Sequence, residues 1–537
     1  MYSNDLLWIA NTDSGERVSI LPKMANRHGL VAGATGTGKT VTLKVLAESF
    51  SDAGVPVFIA DVKGDVSGMI CPGEDNENMQ KRIERFGLAD ANFTYKGCPV
   101  TIWDIYGEKG IPLRTTISEV GPMLLARILE LNDLQSDLLT IIFKIADDNE
   151  LLLIDTKDLK SMIRFVAEHA DEFSAEYGKI SGTSLDVITR NVVALEMNGG
   201  DIFFGEPNLD VTDWFKVTED GKGMIHILDS SSLINNGRLY STFLMWMMAE
   251  LFENLPEVGD MDKPKIVFFF DEAHLLFSDA SKAFLEKVEQ VVKLIRSKGV
   301  GIYFCTQNPA DIPSSVLSQL GNKVQHALRA FTPAEQKNIK AAADSFRANP
   351  EFDSKQLLTE LGTGEALVSF LDEKGTPQIV QKGNILPPQC LMAVAPEAER
   401  KACIEGSPLF EKYGTSVDNI SAFETLAAQA DAAAQQAAQA EAQAAEAEPQ
   451  AQAEAAAAEA AAAKPEKPAA KPKEEAKPKK KKVNKATRDA ARSAAGTVGR
   501  EIGKGIFGKA FGKTAAKIGG NAGAAFARGI IGNLLKR

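Results

Sequence analysis

GLVAGATGTGKT, residues 29–40, runs from a short apolar stretch into a glycine-rich turn that ends in lysine and threonine. Gly33, Ala34, Thr35, Gly36, Thr37, Gly38, Lys39 and Thr40 together fit the phosphate-loop pattern GxxxxGK[ST]. Each demand of the pattern has a physical cause. Glycines let successive backbone N–H groups curl around a polyphosphate without Cβ clashes. A helix that starts there aims the positive end of its dipole at the same anion. Lys39 is placed to reach β- and γ-phosphates, and the Thr40 hydroxyl to ligate Mg²⁺. The flanks supply the required context, since an amphipathic stretch follows from Lys39 to Ala53, and then the apolar run VPVFIAD at 55–61. ATP and Mg²⁺ are therefore the expected cofactors.

Further apolar runs are MIHILD (224–229), KIVFFFD (265–271), VGIYFCT (300–306), KVQHALR (323–329) and EALVSFL (365–371). Helical patterns such as 237–254 and 280–298 alternate with them. Near-continuous apolar strands between helices predict an α/β fold with a mostly parallel sheet covered by helices. Residues 71–199 read as a mainly helical insertion with one strand candidate, PVTIWDIY. The expected division is a core of 1–70 and 200–400, the insertion 71–199 and a flanking segment 401–426. An Ala/Gln/Glu then Pro/Lys-rich linker (427–482) and a basic, Gly-rich amphipathic tail (483–537) complete the chain.

Composition bounds the rest. The 537 residues are 44% hydrophobic and 25% charged, which is ordinary for globular protein. No apolar run is long enough to span a bilayer and the N-terminus lacks a signal peptide, so a cytoplasmic location is expected. Five cysteines and five histidines are scattered, which argues against a disulfide frame or a metal cluster. The net charge of −12 divides into −27 over residues 1–463 and +15 from Lys464 onward.

An apolar strand that ends in acid is where the second Mg²⁺-holding group belongs, and KIVFFFD ends in Asp271. Glu272 beside it can act as general base on the attacking water. Gln307, closing VGIYFCT, can sense a γ-phosphate or hold that water. Arg329, closing KVQHALR, can insert into a neighbouring subunit's nucleotide site, with Arg238 and Arg190 as weaker alternatives. His274 reads as a helix-terminal packing residue.

The letters DEAH at 271–274 also name a class of RNA helicases, but that class demands a Ser-Ala-Thr motif soon after and a GRxGR motif in a second ATPase domain. Neither motif occurs, and the globular remainder is too short for that domain. The sequence instead resembles the HerA/FtsK group of P-loop ATPases, in its bacterial HerA-like branch. The resemblance is carried by NRHGLVAGATGTGKTVTLKVLAE (26–48), VFIADVKGD (57–65) and IHILDSSSLINNGRLYSTFLMWMMAELFE (225–253), followed by VFFFDEAHLLF (267–277), the stretch 296–336 and LGTGEALVSFLD (361–372). It implies a RecA-like core in a hexameric ring, with nucleotide between subunits and DNA through the pore. By family pattern Lys39, Thr40, Asp271, Glu272 and Gln307 fall in the hydrolytic site, and Arg329 where an arginine contacts nucleotide. Two departures stand out. Only about 25 residues precede the core where HerA proper carries a β-barrel, and Gln307-Asn308-Pro309 replaces the Gln-Arg-Pro common among translocases.

Two functional readings are open on the sequence. One is a ring-forming DNA translocase or helicase-like motor. The other is a nucleotide-gated ATPase switch or scaffold, recruiting a protein partner or an anionic membrane surface through the basic residues 464–537. That tail would place the protein at the nucleoid or the membrane.

Overall fold

The computed structural model describes residues 1–233, 236–277, 282–330 and 332–461. The basic run 464–482 and the tail 483–537, with their sequence-derived readings, lie outside these residues.

Thirteen strands form one sheet. In chain order they are β1 (Tyr2–Ser3), β2 (Leu6–Thr12), β3 (Arg17–Ile20), β4 (Gly29–Ala32), β5 (Val57–Asp61), β6 (Val100–Asp104) and β7 (Ile111–Pro112). Then come β8 (Ile225–Asp229), β9 (Ile266–Phe270), β10 (Val300–Thr306), β11 (Asn322–His326), β12 (Glu365–Ser369) and β13 (Gln381–Ile385). Across the sheet the order is β1-β2-β13-β12-β11-β4-β10-β9-β5-β8-β6-β7, with β3 also on β2. From β11 to β7 every pairing is parallel, while β12, β13, β2, β3 and β1 pair antiparallel. The mostly parallel, helix-covered sheet expected from the apolar runs is present. The strand candidate within 71–199 is β6, which joins this sheet beside β8. Residues ahead of the phosphate loop add β1–β3 to the antiparallel edge.

The central strands are buried on both faces, which explains their unbroken apolar sequences. On one face, α1 (Lys39–Asp52) places Leu43, Leu46 and Phe50 against Val31, Ile59, Val267 and Phe269. The Phe50 ring lies 6.1 Å from that of Phe269 and 5.8 Å from that of Tyr303. Opposite, Phe58 meets Trp214 at 4.6 Å and Phe268 at 5.3 Å, and Phe243 of α2 (Gly237–Asn254) stacks at 6.5 Å. A further helix, α3 (Lys282–Leu294), packs on α2.

Two ionisable residues of α1 are fully buried and hold the chain beyond β13. Lys44 Nζ donates to the carbonyls of Leu391 and Met392, each at 3.0 Å, while Glu48 accepts from the amides of Gln389 (3.0 Å) and Cys390 (2.7 Å). Burial lowers the Lys44 pKa and raises that of Glu48.

The chain divides into two units, and the sheet lies wholly in the one formed by residues 1–136, 154–156 and 187–419. The other comprises 137–153, 157–186 and, among the described residues, 420–461. Within it, Phe165 of the helix Thr156–Glu168 packs on His169 and edge-on against Phe173 of the helix Ala170–Tyr177, and Asp158 accepts from the Phe423 amide at 3.0 Å. The alanine-rich stretch forms the helix Ala422–Ala461, as its intrinsic propensity favours. No helix among the described residues is long and apolar enough to cross a membrane.

His226 of β8 is completely buried, and Trp103 Nε1 donates to its Nδ1 at 3.2 Å. Burial holds it neutral, with its pKa pulled down to about 3. Below pH ~6.5 the unfolded chain takes up a proton that the folded one refuses, so this residue's contribution is lost as pH falls from ~6.5 toward 3. At pH 5 the loss should reach about 2 kcal/mol relative to pH 8. Urea melts of wild type and His226→Gln across that range should show the difference in slope; parallel pH curves would refute it.

Candidate functional site

The parallel strands β4, β5, β9, β10 and β11 end at one edge, and the residues with chemistry follow those ends. After Ala32, the Gly33 amide donates to Thr306 O at 3.2 Å and the Ala34 amide to Ala327 O at 2.9 Å. The loop is thereby pinned to β10 and to the chain leaving β11. A Cβ on Gly33 would come within 2.5 Å of His326 Cβ, and Gly38 caps α1 at φ +114, so both positions require glycine. Lys39, 6% exposed, donates to the carbonyls of Gly33 (2.8 Å) and Ala34 (3.2 Å), and burial lowers its pKa. A phosphate oxygen would compete with those carbonyls for a charged donor and form the stronger bond.

His326 supports the loop from below. Its Nδ1 lies 2.9 Å from Glu365 O, which can only accept, so Nδ1 carries the proton and Nε2 faces the Thr42 hydroxyl at 2.8 Å. Burial lowers its pKa to about 4 and keeps the ring neutral.

The loop after β5 carries three residues toward the same edge. Asp61 is 1% exposed and accepts from the amides of Lys63 (3.1 Å), Gly64 (2.8 Å) and Val66 (2.9 Å), folding residues 62–66 into a tight turn. Asp65 Oδ2 then accepts from the Thr40 hydroxyl at 3.2 Å, while its Oδ1 is buried without a hydrogen-bond partner among the described residues. Lys63, within that turn, pairs with Glu272.

Asp271 and Glu272 follow β9, both buried. Asp271 Oδ2 also has no hydrogen-bond partner among the described residues. Burial pushes the Asp271 pKa up to about 6 and that of Asp61 to about 7, with mutual repulsion among the carboxylates adding to both. Glu272 sits in the left-handed region at φ +45, a conformation that bulky side chains seldom adopt. Burial pushes its pKa up, but the Lys63 ammonium and then the Gln307 amide outweigh that and hold it below the usual carboxylate value. Gln307 Nε2 donates to Glu272 Oε2 at 3.3 Å, and His274 Nδ1 lies 3.1 Å from the same oxygen without hydrogen-bonding alignment. His274, expected only to pack, thus touches the carboxylate.

Thr40, Asp271, Glu272, Lys39 and Gln307 therefore converge. Arg329 is exposed three residues past β11, with no ion pair among the described residues. Arg238 begins α2, and Arg190 lies in the helix Gly182–Leu195. Asp61, Lys63, Asp65 and His326 carried no assignment from sequence. The first three lie in VFIADVKGD, where acids flanking a lysine just past an apolar strand are the signal. His326 stands in an apolar run like any core residue. The buried, unpartnered oxygens of Asp65 and Asp271 beside the Thr40 hydroxyl fit a hard divalent cation such as Mg²⁺.

A phosphate loop between β4 and α1, with acids at the carboxyl edge of a parallel sheet, defines a P-loop nucleoside-triphosphatase fold. The helicase HerA-like C-terminal family profile matches residues 7–515, and the chain belongs to that family. It is 23% identical over 368 residues to the DNA double-strand break repair helicase HerA of Sulfurisphaera tokodaii, covering 66% of this chain and 64% of the relative. The HerA of Sulfolobus acidocaldarius is likewise 23% identical, over 365 residues, with the same coverage. The chain thus spans just under two thirds of these relatives' length. Among solved structures, the bacterial conjugative coupling protein TrwB aligns over 72% of this chain and 91% of its own, at 14% identity and a TM-score of 0.45. VirB4 of Thermoanaerobacter pseudethanolicus aligns over 74% and 99%, at 16% identity and 0.43.

Proposed function

We propose that this protein hydrolyses ATP at Gly33–Thr40 and works as a HerA-like, ring-forming motor that translocates on DNA. The observation that carries the reading is the convergence of Lys39, Thr40, Asp271, Glu272 and Gln307 at one sheet edge from separate segments of sequence. In this reading Gly33–Gly38 and the start of α1 cradle the phosphates, and Lys39 exchanges its loop carbonyls for phosphate oxygens. Thr40 and Asp271 would hold Mg²⁺, which neutralises charge on the β- and γ-phosphates. Glu272 takes a proton from the water that attacks the γ-phosphorus. Gln307 orients the Glu272 carboxylate through its amide. Arg329, exposed at the same edge, reaches the nucleotide of a neighbouring subunit in a homo-oligomeric ring.

DNA as substrate is supported by the family and by the two HerA relatives, described as DNA double-strand break repair helicases. Phosphate release measured with and without duplex DNA tests it. Stimulation of severalfold is expected, and turnover indifferent to every nucleic acid would remove the motor.

The charge distribution supports a second reading. A body of −27 is ill suited to loose nucleic-acid binding, while the +15 segment from Lys464 suits an anionic partner. In that case the protein is a cytoplasmic nucleotide-gated switch, recruited through residues 464–537. Hydrolysis would then ignore DNA, and partner capture would disappear when the segment is removed.

A further inference from the structure

Asp61 ends β5, Asp65 closes the turn after it, and Asp271 follows β9. One carboxylate oxygen from each lies within 4.8 Å of the other two. Ligands on opposite sides of a Mg²⁺- or Ca²⁺-sized ion are about 4–5 Å apart, so this spacing matches one shared ion. We propose that Asp61, Asp65 and Asp271 form a divalent-cation site that fills before nucleotide arrives, with the Lys63 ammonium as its built-in competitor. The proposal rests on placing the Mg²⁺ of the ATP site at Thr40 and Asp271, and adds two ligands and an order of binding.

Three observations point to an ion. Asp271 is only 3% exposed, yet its Oδ2 has no hydrogen-bond partner among the described residues; the same holds for Asp65 Oδ1. A buried carboxylate oxygen left unpaired is costly unless something charged satisfies it. Asp61 spends three acceptor positions on its turn, which leaves about one of the four a carboxylate offers. Thr40 gives its only hydroxyl proton to Asp65, so its lone pairs are free for the same ion.

The local charge is also incomplete. The three aspartates and Glu272 face the ammonium groups of Lys39, Lys63 and Lys44. Lys44 donates to the Leu391 and Met392 carbonyls, and Lys39 to those of the phosphate loop. Lys63 pairs directly with Glu272 and feels Asp271 and Asp65 as well, so it supplies cation charge to two of the three aspartates. A divalent ion would take over that part, leaving Lys63 to Glu272 alone.

The test is Mn²⁺ binding to the nucleotide-free, full-length protein, followed by loss of the free-ion signal in electron paramagnetic resonance. One Mn²⁺ per chain is expected without nucleotide, displaced by excess Mg²⁺. Asp65→Asn should weaken binding about tenfold or more, and Lys63→Gln should tighten it. Mn²⁺ taken up only when ADP or an ATP analogue is present would overturn the proposal and leave the ATPase reading standing. Uptake unchanged by Asp65→Asn would also overturn it, since the ion would then sit elsewhere. An unaltered affinity in Lys63→Gln would remove the competitor role. Mn²⁺ binding in a protein that binds no nucleotide would instead uphold the site and sink the ATPase reading.

Discussion

Glu272→Gln is expected to lower ATP turnover by about 10²–10⁴-fold, the usual worth of a positioned general base, while Mg²⁺–ATP stays bound. Glutamine keeps the shape and the left-handed backbone demand of this position but cannot accept the proton from water. The carboxylate is held by Lys63 and Gln307. Loss of the Lys63 pair is a secondary effect, because an ion pair with one partner 39% exposed contributes only about 1 kcal/mol or less. Single-turnover hydrolysis and filter binding of labelled ATP separate chemistry from binding. A variant that hydrolyses at the wild-type rate would show that another group takes the proton.

The second large effect is Lys39→Ala, expected to weaken Mg²⁺–ATP binding by about 10- to 100-fold, as loss of a charged hydrogen-bond donor implies. The fold should tolerate it. Lys39 is buried against loop carbonyls at a desolvation cost that alanine removes, and Lys44 and Glu48 continue to anchor α1. Thermal melts give a direct reading. A ligand at 100 times its Kd stabilises the folded state by about 2.7 kcal/mol, so the wild type should gain several degrees from ATP and the variant, at the same concentration, about half of that gain or less. Equal gains would place the nucleotide away from the phosphate loop.

Much of the fold was legible because the parallel strands are buried on both faces. IVFFF, VGIYFCT and VFIAD cannot be mistaken for surface sequence. Apart from β12 and β6, the outer strands on both sides of the sheet were not. β13 reads QKGNI, β3 begins with an exposed arginine, and β1 and β7 have two residues each. Such strands are specified by the neighbour they pair with, not by their own composition. The site divides the same way. Gly33–Thr40 and Asp271-Glu272 are contiguous in sequence and could be read there. Lys63 meets Glu272 across 209 residues, a contact that exists only because β5 and β9 are adjacent in the sheet. His274 reaches Glu272 through a backbone conformation that sequence does not announce.

The buried Lys44 and Glu48 also decide where this chain can be cut. The last strand ends at Ile385, which looks like a natural boundary for an excised core. A piece ending there would keep both charges inside α1 and discard the amides and carbonyls of 389–392 that satisfy them. Each stranded charge would cost about 3–5 kcal/mol, against a total stability of only about 5–15 kcal/mol for a typical domain. The smallest self-sufficient fragment that keeps α1 in place must therefore run past Met392. Shuffling or fusing such modules at the end of the sheet would yield a phosphate loop on a helix that no longer holds its place.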